Sequence, residues 1–474
     1  MRIKSYVRGR ARRALVVPVA AGALWAAGCG DISIPDYNRP AIDDLANNPN
    51  ATLINAAAVG LVGSSRQDAA NYVRYTGILG REAYYLDANE NRYVTQLVDG
   101  DLDPSSFAGG GLWTNRYGSI RLGNTILHAL DNLPANQLSD AQQEGVRGWT
   151  QTFKGHDFTI IGNTRLLAPT AVDIEPTADP APLQSRAQVY AYAKALLDSG
   201  LVNLNAAGTA FSFNATPGFT QYGFGTPAGM KQVNRALRAR VDLLTGNYAS
   251  VLANLAQSFI TTPANGTLET MHRGVYYPFG TGSGDLVNAL TSAAPQAADT
   301  LLRTQAQRQV AGDTLDARYV RKVRFRAGGA TRSQLGIQTN LIFSLYNQQP
   351  FFGSGGQASP IPIIRNEELI LMRAEARWAT GDLPGAIADL NYVRTISGNL
   401  APRTDLTNDN FREALLYERR YSLLYEGGWR WLDLRRFGLL DRLDNYPRQG
   451  DYSPEAFPLP FAECLARGVG SQGC

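Results

Sequence analysis

Three histidines, His128, His156 and His272, supply all the imidazole in this 474-residue chain, and none falls in H-E-x-x-H or another metal-ligand spacing. Neither G-x-S-x-G nor G-x-x-x-x-G-K-[ST] occurs, and the G-T-G-S-G at Gly280 lacks the third glycine of a dinucleotide loop. Glu418 and Glu426 can be read as a carboxylate pair for glycoside hydrolysis. Eight helical residues separate their backbones by about 12 Å, however, beyond the ~5–9.5 Å that such pairs use. Neighbouring arginines also hold carboxylates ionised, which is wrong for a general acid. No catalytic residue is therefore expected, although carboxylates distant in sequence stay open as a converging pair. Asp87, Asn89 and Asn91 alternate like the opening of a calcium loop, so a calcium site is allowed. Arg92 stands where that loop needs Gly, and Val98 stands where it closes with Glu.

Binding chemistry is better represented. Sugar rings stack their C–H faces on Tyr or Trp while planar polar side chains satisfy the hydroxyls. Tyr85, Asn89, Asn91, Tyr93 and Gln96 offer that mixture in one loop, and Tyr276, Tyr277, Phe279 and Tyr346 offer aromatics in a central region. Each also has a plain packing reading, and nothing in these residues selects glycan over peptide.

The elements that must hold these loops are helical hairpins. In R-N-E-E-L-I-L-M-R-A-E-A-R-W-A-T-G-D-L-P-G-A-I-A-D-L-N-Y-V-R, starting at Arg365, apolar residues recur at three- and four-residue steps. Gly381-Asp382 breaks the helix and Pro384 suits the first turn of the next. The string L-R-A-R-V-D-L-L-T-G-N-Y-A-S-V-L-A-N-L, from Leu237, aligns on it without gaps. Arg238/Arg373, Ala239/Ala374, Thr245/Thr380, Gly246/Gly381, Ala253/Ala388 and Leu255/Leu390 are identical. Two tetratricopeptide-like units from the two halves of the chain are expected. Further helices are expected at 51–75, 139–166 and 183–203, the last two separated by Pro169, Pro176, Pro180 and Pro182.

After the second hairpin comes E-R-R-Y-S-L-L-Y-E-G-G-W-R-W-L-D-L-R-R, from Glu418 to Arg436. Charges inside so aromatic a helix need partners, and Glu418, Glu426 and Asp433 are expected to meet Arg419, Arg420, Arg430 or Arg435. These two strings closely resemble the C-terminal signature of SusD-like (RagB/SusD) outer-membrane lipoproteins. The W-x-x-x-Y-x-x-I-x-x-x-N pattern of Trp113, Tyr117, Ile120 and Asn124 also resembles that family, with Trp113 and Tyr117 read as core. The resemblance implies a mostly α, SusD-like scaffold of tetratricopeptide-like hairpins with an irregular loop and short-strand ligand-binding region. It also implies a surface subunit that needs no cofactor, captures an oligosaccharide or peptide nutrient and works with a SusC-like TonB-dependent transporter.

The N-terminus agrees with that resemblance. Arg2, Lys4, Arg8, Arg10, Arg12 and Arg13 precede an apolar run, Ala14 to Ala27, too short to span a bilayer. It ends Leu24-Trp25-Ala26-Ala27-Gly28-Cys29, which resembles a lipobox with Ala26 in place of the usual aliphatic residue. Cys29 is thus the expected lipid anchor to the outer membrane of a Gram-negative-type cell, facing its surface. These six basic residues account for the net charge of +4, so the remainder is near neutral and a nucleic-acid partner is not expected. The expected organisation is a signal peptide 1–28 and an anchor and tether 29–50. A helical part 51–261 follows, carrying loop 84–111, then an irregular insert 262–362 and signature helices with a tail, 363–474. Cys464 and Cys474 are left to close a small terminal loop.

Overall fold

A computed structural model describes residues 42–174, 179–291, 295–348, 351–352 and 355–468. Cys29 and the anchor and signal segments lie outside the described residues, as does Cys474. Among the described residues, eleven helices have eight residues or more: α1 (Ala51–Ser65), α2 (Ala69–Leu79), α3 (Thr114–Asp131), α4 (Asp140–Thr164), α5 (Arg186–Ala206), α6 (Pro227–Leu244), α7 (Tyr248–Leu255), α8 (Asn366–Ala379), α9 (Leu383–Gly398), α10 (Phe411–Ser422) and α11 (Trp429–Arg436). The single helix expected over 51–75 is two. Arg66 caps the first and sends its guanidinium to Asp285 (2.8 Å) and to the Pro278 carbonyl, and α2 starts three residues later.

Strands are short and pair only two at a time among the described residues. β1 (Ala83–Tyr85) pairs with β5 (Gln296–Ala298), β2 (Leu167–Pro169) with β3 (Leu183–Ser185), and β4 (Gly274–Tyr277) with β10 (Ile361–Arg365). β6 (Val323–Phe325) pairs with β9 (Leu341–Phe343), and β7 (Arg332–Gln334) with β8 (Ile337–Thr339). All five pairings are antiparallel. The fold is therefore the expected mostly helical one.

Local chemistry accounts for the helix ends. Ser139 and Ser185 build capping boxes with Gln142 and Gln188 at the starts of α4 and α5. Between those helices, Gly148, Gly155 and Gly162 recur every seventh residue on one face of α4. A Cβ there would meet Leu204 at 2.6 Å, Leu197 at 2.8 Å and Tyr190 at 2.6 Å, so glycine sets how closely α5 approaches.

The two hairpins share a turn built bond for bond. Gly246 and Gly381 hold positive φ (72° and 91°), the backbone N–H groups of Asn247 and Asp382 donate to Asp242 O and Arg377 O, and Asn247 and Asp382 then cap α7 and α9. Thr245 and Thr380 each return a hydroxyl to the carbonyl four residues back.

The helices and strands interlock the two halves of the chain. Arg240 on α6 donates to Glu368 on α8 at 2.7 and 2.8 Å, and one core cluster runs from Ile54 and Trp149 through Tyr276 and Tyr346 to Trp431. A second cluster, including Met271, Ile370, Leu390 and Phe411, fills the α8–α9 hairpin.

Candidate functional site

The loop between α2 and α3 gathers its aromatics. Tyr85 closes β1, Tyr93 sits on the one-turn helix Arg92–Thr95, and Phe107 returns from the far side of the loop. The Tyr85 and Tyr93 rings are 4.1 Å apart between centroids at 40°, and Tyr93 and Phe107 are 5.0 Å apart at 54°. All three rings are half-buried, with buried Tyr75 of α2 as their floor, 6.1 Å from Tyr93 and 6.2 Å from Phe107. Two guanidiniums flank them: Arg74 4.8 Å from Tyr85 and Arg92 4.6 Å from Phe107. Such rings present apolar faces beside donors, the arrangement that receives a sugar C–H face and its hydroxyls.

The central region buttresses this loop from behind. Arg332 donates to Leu86 O at 2.7 Å, and Gln334 donates to Asp87 O (2.7 Å) and Asn91 Oδ1 (2.6 Å), so the β7–β8 hairpin clamps the turn that carries Asn89 and Asn91. Both asparagines are exposed, whereas Gln96 is buried and accepts from the Ser106 hydroxyl. Asp87 Oδ1 accepts from the Asn89 N–H at 3.0 Å, and Asn91 Oδ1 from Gln334, so two side chains of the expected calcium set already have an oxygen engaged. Among the described residues no group of three His, Cys, Asp or Glu is placed to hold a metal.

The central aromatics are elsewhere, and the expectation that they meet ligand is corrected. Tyr276, Tyr277, Phe279 and Tyr346 are 0%, 4%, 8% and 1% exposed. Tyr276 and Tyr277 lie in β4, pinned by β10. The Tyr276 hydroxyl donates to His272 O, and the Tyr346 hydroxyl donates to Tyr425 O at 3.0 Å. Phe279 lies under Arg66 at 5.6 Å. Tyr277 joins a buried relay in which its hydroxyl is 2.8 Å from both His156 Nε2 and Ser65 Oγ. Ser65 donates to Asp157 (2.6 Å), and Arg116 bridges Asp157 (2.7 Å) and Asp68 (2.5 Å). Ser, His and Asp stand together here. All three are buried, with His156 held neutral because burial pushes its pKa well below the usual value, so the group is a structural bolt.

Glu418 and Glu426 are likewise structural. Glu418 meets Arg318 (2.5 Å) and Arg394 (2.8 Å), while Glu426 meets Lys322 (2.6 Å) and Arg365 (2.6 Å). Asp433 takes Arg419 (2.6 Å), as expected, and also Arg436 (2.9 Å). The other expected pairings within the signature are corrected: side chains adjacent along a helix diverge, so both glutamates reach cations from distant segments. Arg420 goes instead to Gln305, and Arg435 to the carbonyls of Asn163 and Glu455, stacked on Trp431 at 4.8 Å. Trp113 is buried, and Tyr117 donates to Pro169 O at 2.8 Å, as core packing requires. Cys464 is buried and disulfide-bonded, its partner lying outside the described residues.

Sequence reasoning missed Phe107 and Arg92 beside these rings, and the buried Tyr75 and Arg74 beneath them. Phe107 lies within the same loop as Tyr85 and Tyr93, a signal present in the sequence. Glu90 is bound by Arg92 through both oxygens (2.8 and 2.6 Å), which lowers its pKa and keeps it ionised.

The hairpin-built helical frame with short two-stranded pairings is a SusD-like fold. Residues 308–457 match the model of the SusD family. A SusD-like carbohydrate-binding protein from Bacteroides fragilis has a TM-score of 0.69 at 14% identity, over 89% of this chain and 99% of that one. A SusD superfamily protein from Bacteroides vulgatus gives 0.66 at 16%, over 88% and 97%. Surface glycan-binding protein A from Bacteroides uniformis gives 0.67 at 14%, over 87% and 97%. No curated protein matches the chain. At such identities the structures establish the SusD-like fold, and the family match covers the C-terminal signature.

Proposed function

We propose that this protein is a non-catalytic, lipid-anchored surface subunit that captures an oligomeric nutrient, a glycan in preference to a peptide, and passes it to a SusC-like TonB-dependent outer-membrane transporter. The observation that carries this reading is the half-buried Tyr85–Tyr93–Phe107 cluster with Arg74 and Arg92 at its edges and exposed Asn89 and Asn91 on the adjoining turn. Stacking faces beside planar polar groups suit a polymer of sugar rings, and a shallow surface accepts a chain that a closed pocket would truncate. Solved relatives described as carbohydrate-binding and glycan-binding support the same class of ligand. Anchoring through Cys29 is part of the proposal, and no helix among the described residues is long and apolar enough to cross a membrane. Calcium is assigned no role: Asp87 Oδ1 is bonded within the turn and Asn91 Oδ1 by Gln334.

The test is binding of the chain beginning after Cys29 to arrays of oligosaccharides and peptides, with product analysis on every hit. Saturable binding of one glycan class without turnover is the expected outcome. Hydrolysis of a bound oligosaccharide would replace the reading with an enzyme. Capture of the transporter with no small ligand would replace it with a protein-binding scaffold.

A further inference from the structure

A separate cavity of about 110 Å³ opens between the one-turn helix Leu268–His272, the short helix Ala317–Lys322 and the start of α8. Its floor is ionic and balanced. Arg318 pairs with Asp316 (2.6 Å) and Glu418 (2.5 Å), Lys322 with Glu426 (2.6 Å), Arg365 with Glu367 and Glu426, and Arg394 with Glu418 (2.8 Å). Four buried cations thus meet four buried carboxylates.

Arg321 is a fifth cation on this wall and pairs with no carboxylate among the described residues. Its hydrogen bond among the described residues runs from Nη2 to Ser397 O at 2.8 Å, which leaves most of its five N–H donors unspent. The acids facing it, Glu367 and Asp316, are offset by Arg318 and Arg365, and burial further disfavours its charge. His272 lines the same mouth, half-buried and set edge-on to Phe351 at 5.3 Å, and its ring makes no hydrogen bond among the described residues. The cavity therefore carries one uncompensated positive charge and a second idle donor. Arg321 is half-buried, so its free donors face the cavity where solvent or an anion can meet them.

We propose that this cavity binds a small oxyanion, a carboxylate or a tetrahedral anion such as sulfate or phosphate, with Arg321 as the principal contact and His272 as the second donor. The volume sets the class. A water needs ~10–15 Å³ by the same measure, so there is room for a polyatomic ion and none for a sugar chain. Bound there, the ion joins the helix Ala317–Lys322 to the signature helices, remote from the aromatic loop in function and in residues.

The experiment is calorimetric titration of the chain beginning after Cys29 with sulfate, phosphate and acetate, each balanced with chloride to constant ionic strength. One-site saturation by at least one of them is expected, weakened by ~10- to 100-fold in Arg321→Gln, as the loss of hydrogen bonds to a charged group implies. Arg321→Lys should retain part of the affinity, and Arg147→Gln, a surface arginine on α4, all of it. Leu268→Trp, which places an indole in the mouth, should abolish binding and supplies the test if Arg321→Gln does not fold. No saturation by any of the three ions would overturn the proposal, as would equal binding in wild type, Arg321→Gln and Leu268→Trp.

Discussion

The C-terminal signature and the first loop are both rich in aromatics and arginines, yet they use them in opposite ways. In the signature, Arg419 lies 4.5 Å from the Trp429 ring and is 1% exposed, with Asp433 on its Nε. On the loop, Arg92 lies 4.6 Å from Phe107 with its side chain 49% exposed and its carboxylate partner next door in sequence. The same residue types therefore make a frame where the ion pair is enclosed, and a surface where it is left in contact with solvent. What separates frame from surface is burial: the frame encloses its pairs whether the partner is distant (Arg365–Glu426) or two residues away (Arg365–Glu367), while Arg92–Glu90 stays open to solvent.

The sharpest way to break the comparison is inside the frame. Arg365 serves Glu426, Glu367 and two carbonyls from a site 1% exposed. Arg365→Ala leaves two buried carboxylates short of a partner and should cost ~3–5 kcal/mol by chemical denaturation. A change below about 1 kcal/mol would put the network on the footing of a surface salt bridge.

At the junction of the two regions sits Glu82, between α2 and β1. Burial raises its carboxyl to about 7, with Arg420 and Arg430 offsetting part of the shift. A carboxyl whose folded pKa is raised contributes stability that is full below its unfolded value of 4.5 and is lost as pH rises through 7. Wild type should therefore lose up to ~3 kcal/mol relative to Glu82→Gln between pH 4.5 and pH 8, read from denaturation midpoints across pH. Parallel curves for the two proteins would show that Glu82 does not titrate in that window.

On the loop, the effects should move from stability to affinity. Tyr93→Ala removes the central ring of the cluster and is expected to weaken glycan binding by about tenfold while costing ~1–1.5 kcal/mol in folding. Asn89→Ala, on the exposed turn, is the smallest effect: within ~0.5 kcal/mol in stability and a few-fold in affinity.

The hairpins were legible because their instructions are local. Thr, Gly and Asn or Asp at 245–247 and 380–382 specify the same left-handed turn and cap wherever they occur. The ion network was legible only as a need. That Glu418 requires a cation follows from its apolar neighbours, but Arg318 and Arg394, 100 and 24 residues away, could not be named without the fold. Tyr276, Tyr277 and Tyr346 show the converse failure. An irregular, aromatic stretch has the same composition whether its rings face solvent or a buried strand pair, and β4 is buried along its whole length. That Tyr85 and Tyr93 cluster was legible because they share one short loop; the place of Arg74 over Tyr85 was not, because it depends on how α2 meets that loop.

The most direct measurement is calorimetric titration of wild type and Tyr85→Ala/Tyr93→Ala with the same oligosaccharide, chosen from the array, with chromatography of the mixture afterwards. The expected result is saturable binding by wild type, intact oligosaccharide, and loss of most affinity in a variant that still unfolds cooperatively. Equal affinity in the two proteins would contradict the first loop as the ligand surface, and shortened oligosaccharide would contradict a binding protein altogether.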